Sequence, residues 1–232
     1  MSEQAFALHR LPGREISANL QREAELLEDC AENQAAACLF YVNEPCIVLG
    51  RSNQPGQWVN LAQAEADGLP VVRRISGGGT VYHDTDNLNY SFIVPRARLN
   101  ALCGLAGEGA LSTSAYIDFF RGLVISALAA HGGRWTATGT SDISLNGRKV
   151  SGNAQRIARR AVLHHGTLML RCPLAAIERY LPVPPDRPGV AHADFITGLS
   201  EEGYPADMEQ LQAWLAAEFG RRLQSPDGSF HG

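Results

Sequence analysis

Apolar residues Leu20, Ala24 and Leu27 recur at helical spacing, and Ser17 or Asn19 offers a side chain to cap a helix there. Cys38–Val42 reads as a buried strand, Asn43–Glu44–Pro45 as a turn and Cys46–Gly50 as a second strand, a pattern that predicts a hairpin. A short helix is expected over Val59–Asp67, stopped by Gly68–Leu69–Pro70. Pro70–Ile75 and Thr80–Tyr82 are β-type runs on either side of three glycines. In Asn87–Val94, Leu88, Tyr90 and Phe92 alternate with Asn89 and Ser91, as in a half-buried strand. Ile117, Phe120, Val124 and Leu128 share one face of a long helix over Thr113–Ala130, which Gly132–Gly133 ends.

Asp142–Val150 reads as strand–turn–strand about Asn146–Gly147, a strong hairpin signal. Ala161–Leu170 is a further strand and Cys172–Tyr180 a short helix. Leu181–Pro188, with four prolines, suits neither helix nor central strand and reads as a surface crossing. Asp207–Leu223 is amphipathic, and residues 224–232 are expected to fray. Short turns between strands, with helices grouped between them, predict an α+β domain with a mixed, largely antiparallel sheet flanked by helices.

Composition narrows the function. In a chain of 232 residues, a net charge of −4 and an acidic pI argue against broad nucleic-acid coating, which needs a basic face, and leave room for a small basic pocket. The chain's apolar runs fall well short of a membrane span, and the first thirty residues, with charges that include Glu3, Arg10, Arg14, Glu15, Arg22, Glu23 and Glu25, hold no apolar core of a leader. Five cysteines with no C-x-x-C pair argue against a disulfide scaffold or zinc ribbon, so a reduced, cytoplasmic protein is expected.

Candidate chemistry lies in three segments. In Arg73–Asp84 two arginines and Ser76 run into Gly77–Gly78–Gly79, then Thr80, Val81, Tyr82 and His83. Glycine brings backbone N–H groups close to a ligand, successive N–H groups form an anion nest, and arginine adds forked positive charge. The competing reading is a glycine-rich hairpin turn. In the second segment Lys149 follows the Asn146–Gly147 turn and precedes Ser151–Gly152, either as a positioned charge or as a solvent-facing lysine. In the third, His164 and His165 are adjacent on a strand and face opposite sides, so they form no two-ligand metal site. Gly166 is expected to make room for a polar residue at a cavity.

These segments, with Gly50–Gln54 and Asn87–Ser91 in the first half and Asp142–Ile143, Gly147–Arg156 and His164–Leu168 in the second, resemble the lipoate–protein ligase A family in order, over residues 16–200. The resemblance implies a class II aminoacyl-tRNA synthetase/biotin protein ligase-like catalytic domain, here residues 1–223, without a C-terminal accessory domain. It implies that lipoate or octanoate attacks the α-phosphate of ATP, giving acyl-AMP, and that a lysine of a lipoyl carrier domain then takes the acyl group. Lys149 would be the catalytic charge. Arg73, Ser76, Gly77, Gly78, Gly79, His83, His165 and Gly166 would hold the acid. Gly78, Gly79, Thr80, Val81, Asn87, Asp142, Lys149, Ser151, Gly152 and Ala154 would hold the nucleotide, with Asp142 on Mg²⁺. No tightly bound cofactor is implied. Short members of this kind can need a separately encoded accessory subunit.

Asp86 departs from the family pattern, standing where a glycine is usual. A related octanoyl transferase would need a cysteine that residues 104–171 do not supply; Cys172 lies too close to the strand to match. A non-catalytic lipoate-binding protein would have no need of Lys149. Gly132–Thr140 is expected to be a lid that keeps water from an acyl adenylate.

Overall fold

The computed structural model describes residues 6–104, 112–183 and 189–224. Strand β1 (Ala7–Arg10) precedes helix α1 (Ile16–Asn33), followed by β2 (Ala37–Tyr41) and β3 (Cys46–Leu49). Two short helices, α2 (Pro55–Trp58) and α3 (Leu61–Ala66), lead to β4 (Val71–Arg73), β5 (Val81–His83) and β6 (Asn87–Pro95). Then come α4 (Arg96–Leu102), α5 (Thr113–Ala129), β7 (Trp135–Thr138), β8 (Asp142–Leu145), β9 (Arg148–Ile157) and β10 (Ala161–Met169). Helices α6 (Leu174–Tyr180), α7 (His192–Phe195) and α8 (Met208–Gln224) complete the described chain. No helix among the described residues is long and apolar enough to cross a membrane.

Seven strands form one sheet in the order β1-β2-β6-β10-β9-β8-β7, antiparallel except for the β1–β2 pair. A second sheet, β4-β3-β5, pairs β3 parallel to β4 and antiparallel to β5. The fold is therefore the expected α+β arrangement of a mixed, largely antiparallel sheet flanked by helices.

One face of the large sheet carries Phe40, Leu88, Tyr90 and Phe92 under α4, α5 and α8, and Phe92 stacks on both Phe120 and Phe219. On the opposite face Leu39, Ile93 and Leu163 pack against Leu26, Leu27 and Cys30 of α1. Farther along that second face the side chains turn polar: Asn89, Ser91 and His165 are all buried there.

Three expectations are corrected. The strands around Asn43–Glu44–Pro45 are not a hairpin; β2 joins the large sheet and β3 the small one, so this turn hands the chain between sheets. Glu15, not Ser17 or Asn19, caps α1 by accepting from the N–H groups of Ser17 and Ala18, while Asn19 is buried. The middle of the expected lid, Trp135–Thr138, is strand: β7 is held at the sheet edge by β8. The expected surface crossing continues past Val183 into residues 184–188, which lie outside the described residues, as does the tail beyond Gln224. The Asn146–Gly147 turn is as expected, with φ of 53° and 91°, both left-handed.

Candidate active site

The three glycines do not form a hairpin turn. Strands β4 and β5 lie on opposite edges of β3, so the segment between them crosses the end of β3. It crosses so closely that a side chain on Gly50 would overlap the Gly78 carbonyl and Asn53 Oδ1. Gly78 has a φ of 85°, which a side chain would strain, and a Cβ there would meet Arg74 Nη2 at 3.0 Å and Ala154 Cβ of β9 at 3.4 Å. The loop thus faces the second segment directly.

Arg74 holds this loop. Its Nη2 donates to the carbonyls of Gly77 and Gly79, each at 2.7 Å, and its Nε to Ser76 Oγ at 2.9 Å. Burial lowers its pKa to about 10, so it stays cationic at neutral pH. Ser76 Oγ lies 2.6 Å from His165 Nε2, and His165 Nδ1 lies 2.9 Å from both carboxylate oxygens of Glu23 on α1. Burial pushes the Glu23 carboxyl up. The His165 ring, hydrogen bonds from His165 and Ser91, and the Arg74 charge outweigh this and hold it below its ordinary value. Glu, His and Ser in this order resemble a nucleophilic triad. Ser76, however, is 0% exposed and does not border the cavity, so its hydroxyl serves as a link within the network.

Lys149 is aimed by a β-bulge. The β8–β9 register runs from Ile143↔Ser151 to Ser144↔Lys149 and leaves Val150 unmatched. The extra residue puts Val150 and Ser151 both on the core side, and Lys149 on the cavity side with Gly152. There its Nζ pairs with Asp142 Oδ1 at 2.7 Å. Gly152 is small for a reason: a Cβ there would sit 3.3 Å from Lys149 Nζ.

Between the two sheets lies a cavity of about 470 Å³, with an adjoining apolar one of about 120 Å³. Thr80, Val81, His83, Lys149, Gly152 and Thr167 border both. The larger takes in Gly78, Gly79, Asp142, Ala154, His165 and Gly166. The smaller is closed by Ile177 and Leu181 with Phe195 and Ile196, the last bridged to Lys149.

Five of the residues expected at the site stand elsewhere. Arg73 donates to the carbonyls of Gly50, Arg51 and Asn53, on the outside of the small sheet, because it alternates with Arg74 along the strand. It is Arg74 that reaches the cavity. Ser76 and Gly77 lie behind the loop, tied to Arg74. Asn87 donates to the Tyr82 carbonyl, and Ser151 lies with Tyr90 and Asn153 in the core. Gly166 makes room on the opposite face from that expected: a side chain there would overlap the Tyr90 hydroxyl and Asn153 Oδ1. Of the expected lid, Gly139 and Thr140 border the cavity, on the loop between β7 and β8.

Sequence reasoning missed Glu23, Tyr41, Asn89 and Thr167. Glu23 could have been found, since it interrupts a helical stripe of Ile16, Asn19, Leu26, Leu27 and Cys30 that is otherwise almost wholly apolar. No group of three metal-ligating side chains occurs among the described residues. Asp142, one carboxylate, suits a Mg²⁺ that arrives with nucleotide phosphates better than a resident ion.

Such a site, a glycine loop and a positioned lysine at the meeting of two cavities, has room for two ligands around one fixed cation. Residues 15–220 match the lipoyl protein ligase A/B catalytic domain, and the chain belongs to that family. It is 35% identical over 169 residues to lipoate–protein ligase 1 of Staphylococcus aureus, covering 72% of this chain and 47% of that protein. The chain spans about half the length of the curated relatives it matches. A bipartite lipoate protein ligase from Thermoplasma acidophilum, solved in a study that also covers its E2 lipoyl domain, superimposes with a TM-score of 0.77 at 18% identity, covering 95% and 84% of the two chains. Biotin protein ligase from Aquifex aeolicus shares the fold at a TM-score of 0.50 and 14% identity, covering 94% and 70%.

Proposed function

We propose that this domain activates lipoate, or a closely related medium-length acid, with ATP and Mg²⁺ to an acyl-AMP, releasing pyrophosphate, and passes the acyl group to the amine of a lysine of a lipoyl carrier domain, releasing AMP. The observation that carries this reading is the position of Lys149. A bulge turns it into the wall shared by both cavities, where one ammonium serves both ligands. When the acid attacks the α-phosphate, negative charge grows on the phosphoryl oxygens; when the acceptor amine attacks, it grows on the acyl oxygen. A fixed cation and backbone N–H groups in a partly dry cavity stabilise both, and removing one such donor costs about 10²–10³ in rate. The walls around the two cavities shield the reactive anhydride from water.

No cysteine borders either cavity among the described residues, and burial pushes the Cys172 thiol up to about 11. Both facts favour ATP-dependent ligation over transfer through a thioester. We assign the acceptor as a lipoyl carrier protein and a separately encoded accessory subunit as a helper for activation. Residues 1–223 act in this scheme as one catalytic domain, in the reducing cytoplasm that suits free thiols.

The test is incubation with lipoate, ATP, Mg²⁺ and an apo carrier domain, following AMP release and the mass of the carrier, with and without a candidate accessory subunit. Lys149→Ala is expected to lower adenylation by about 10²–10³ while its circular dichroism matches wild type. Acyl transfer from octanoyl carrier protein without ATP would overturn the reading.

A further inference from the structure

A directed row of hydrogen bonds ends in the larger cavity. Asn19 Nδ2 donates to Asn43 Oδ1 at 2.9 Å, which turns Asn43 Nδ2 toward His83 Nδ1 at 3.0 Å. Burial, then the charges of Arg74 and His165, push the His83 pKa down to about 3, so the ring is neutral. With Nδ1 accepting, its proton is on Nε2, which donates to Thr167 Oγ1 at 3.0 Å. The Thr167 hydroxyl then donates to Asn89 Oδ1 at 2.7 Å. Each group has one orientation that satisfies both neighbours, so the amide of Asn89 cannot turn over without breaking the row.

Its other end is a donor with no partner. Asn89 is 2% exposed, its Nδ2 is buried and unpaired, and the residue borders the cavity. An amide kept only for structure would have both ends matched, since an unpaired buried donor is costly.

The sheet register says what this donor would meet. Tyr41, Asn89, Thr167 and Gly152 stand side by side on β2, β6, β10 and β9. Lys149 Nζ lies over Gly152. Two strand spacings of about 4.8 Å put Asn89 about 10 Å from Gly152 along this row. An extended eight-carbon chain with bonds of about 1.5 Å zigzags to about 9 Å, so an acid whose carboxyl meets Lys149 brings its far end to Asn89.

We propose that Asn89 is the specificity-determining residue of this site: its Nδ2 donates to an acceptor near the distal end of the acyl chain and so selects the sulfur-bearing chain of lipoate over octanoate. This rests on the reading that the acid's carboxyl lies at Lys149. Ring sulfurs are weak acceptors, but octanoate offers none and leaves the donor buried and unpaired. The expected discrimination is about tenfold.

Titration calorimetry with lipoate, octanoate and 7-oxooctanoate, without ATP, tests it. Wild type should bind lipoate and the oxo acid about tenfold more tightly than octanoate, and Asn89→Leu, which fills the same space without the donor, should bring all three within about twofold. Asn89→Ala serves if the leucine variant does not fold. Wild-type binding of all three acids within twofold, or a folded variant that keeps the preference, overturns the proposal. Failure to form acyl-AMP from acids that do bind with this preference would sink the ligase reading and leave the role of Asn89 standing.

Discussion

Replacing Glu23 by glutamine removes one negative charge from the middle of the buried network and leaves its shape unchanged. The carboxylate is 0% exposed and accepts from His165 at 2.9 Å and from Ser91 at 2.5 Å. It also faces Arg74, whose guanidinium is itself buried. Glutamine keeps an acceptor for His165 but leaves the guanidinium without a balancing charge. Losing one partner of a buried charge pair costs about 3–5 kcal/mol, and the retained acceptor places this change near the lower figure. At about 2–4 °C per kcal/mol for a chain of this size, Tm should fall by roughly 6–12 °C. Urea unfolding followed by tryptophan fluorescence at pH 7.5 measures it. The difference between the two proteins should also depend on pH. The Glu23 pKa is held below its ordinary 4.5 in the folded state, so its contribution is complete above about 4.5 and fades as pH falls through the folded value. His83, whose pKa is far below that of a free histidine, weakens both proteins as pH falls below about 6.5 and cancels in the difference. A difference below 1 kcal/mol at pH 7.5, or one that grows as pH falls below 4.5, would refute the assignment of Glu23 as the charge that balances Arg74.

Two glycines separate effects on the site from effects on the core. Gly50→Ala forces the glycine loop off the end of β3, because its Cβ would overlap the Gly78 carbonyl. Adenylation is expected to fall about 10²-fold, as for a displacement of about 1 Å at a reacting centre, and wild-type turnover would show that the loop position is unimportant. Gly166→Ala drives a methyl into the Tyr90 hydroxyl and Asn153 amide, and overpacking of this kind should cost about 1–3 kcal/mol in urea unfolding. An unchanged midpoint would mean that β10 can shift to absorb the methyl.

Local pattern was enough for the elements whose partners do not matter to their identification. Helix α5 shows its apolar face, β6 its alternation, although both faces of β6 are buried rather than one, and the β8–β9 turn its Asn–Gly pair. What failed was partner choice. Cys38–Val42 and Cys46–Gly50 are joined by a turn short enough for a hairpin, yet β2 pairs with β1 and β6, and β3 with β4 and β5. Nothing in either run records that, because apolar strands pair equally well with several neighbours. The site shows the same division. Which segments line the cavity was visible as glycines, a lysine and histidines, but the face each residue occupies was not. Arg73 and Arg74 are indistinguishable until one knows which side of β4 and its continuation is buried. A regular strand would put Ser151 on the same face as Lys149; the bulge at Val150 separates them.

The polar half of the sheet face is where stability and function become hard to separate. Asn89, Ser91, His165 and Thr167 occupy sheet positions that elsewhere on the same face hold Ile93 and Leu163. Each would be costly in an apolar setting, and each is held in one of two connected sets of bonds that leave only the Asn89 Nδ2 donor over. One set runs from Glu23 through His165 and Ser76 to Arg74 and the glycine loop. The other runs from Asn19 through Asn43, His83 and Thr167 to Asn89. Both begin on α1, so the first helix, which touches the cavity only through Leu20, determines the position of the loop and the direction of the Asn89 donor. A change on α1 should therefore weaken the fold and the site together. A change at Lys149, which is bound to its surroundings mainly through Asp142, should affect the site and spare the fold.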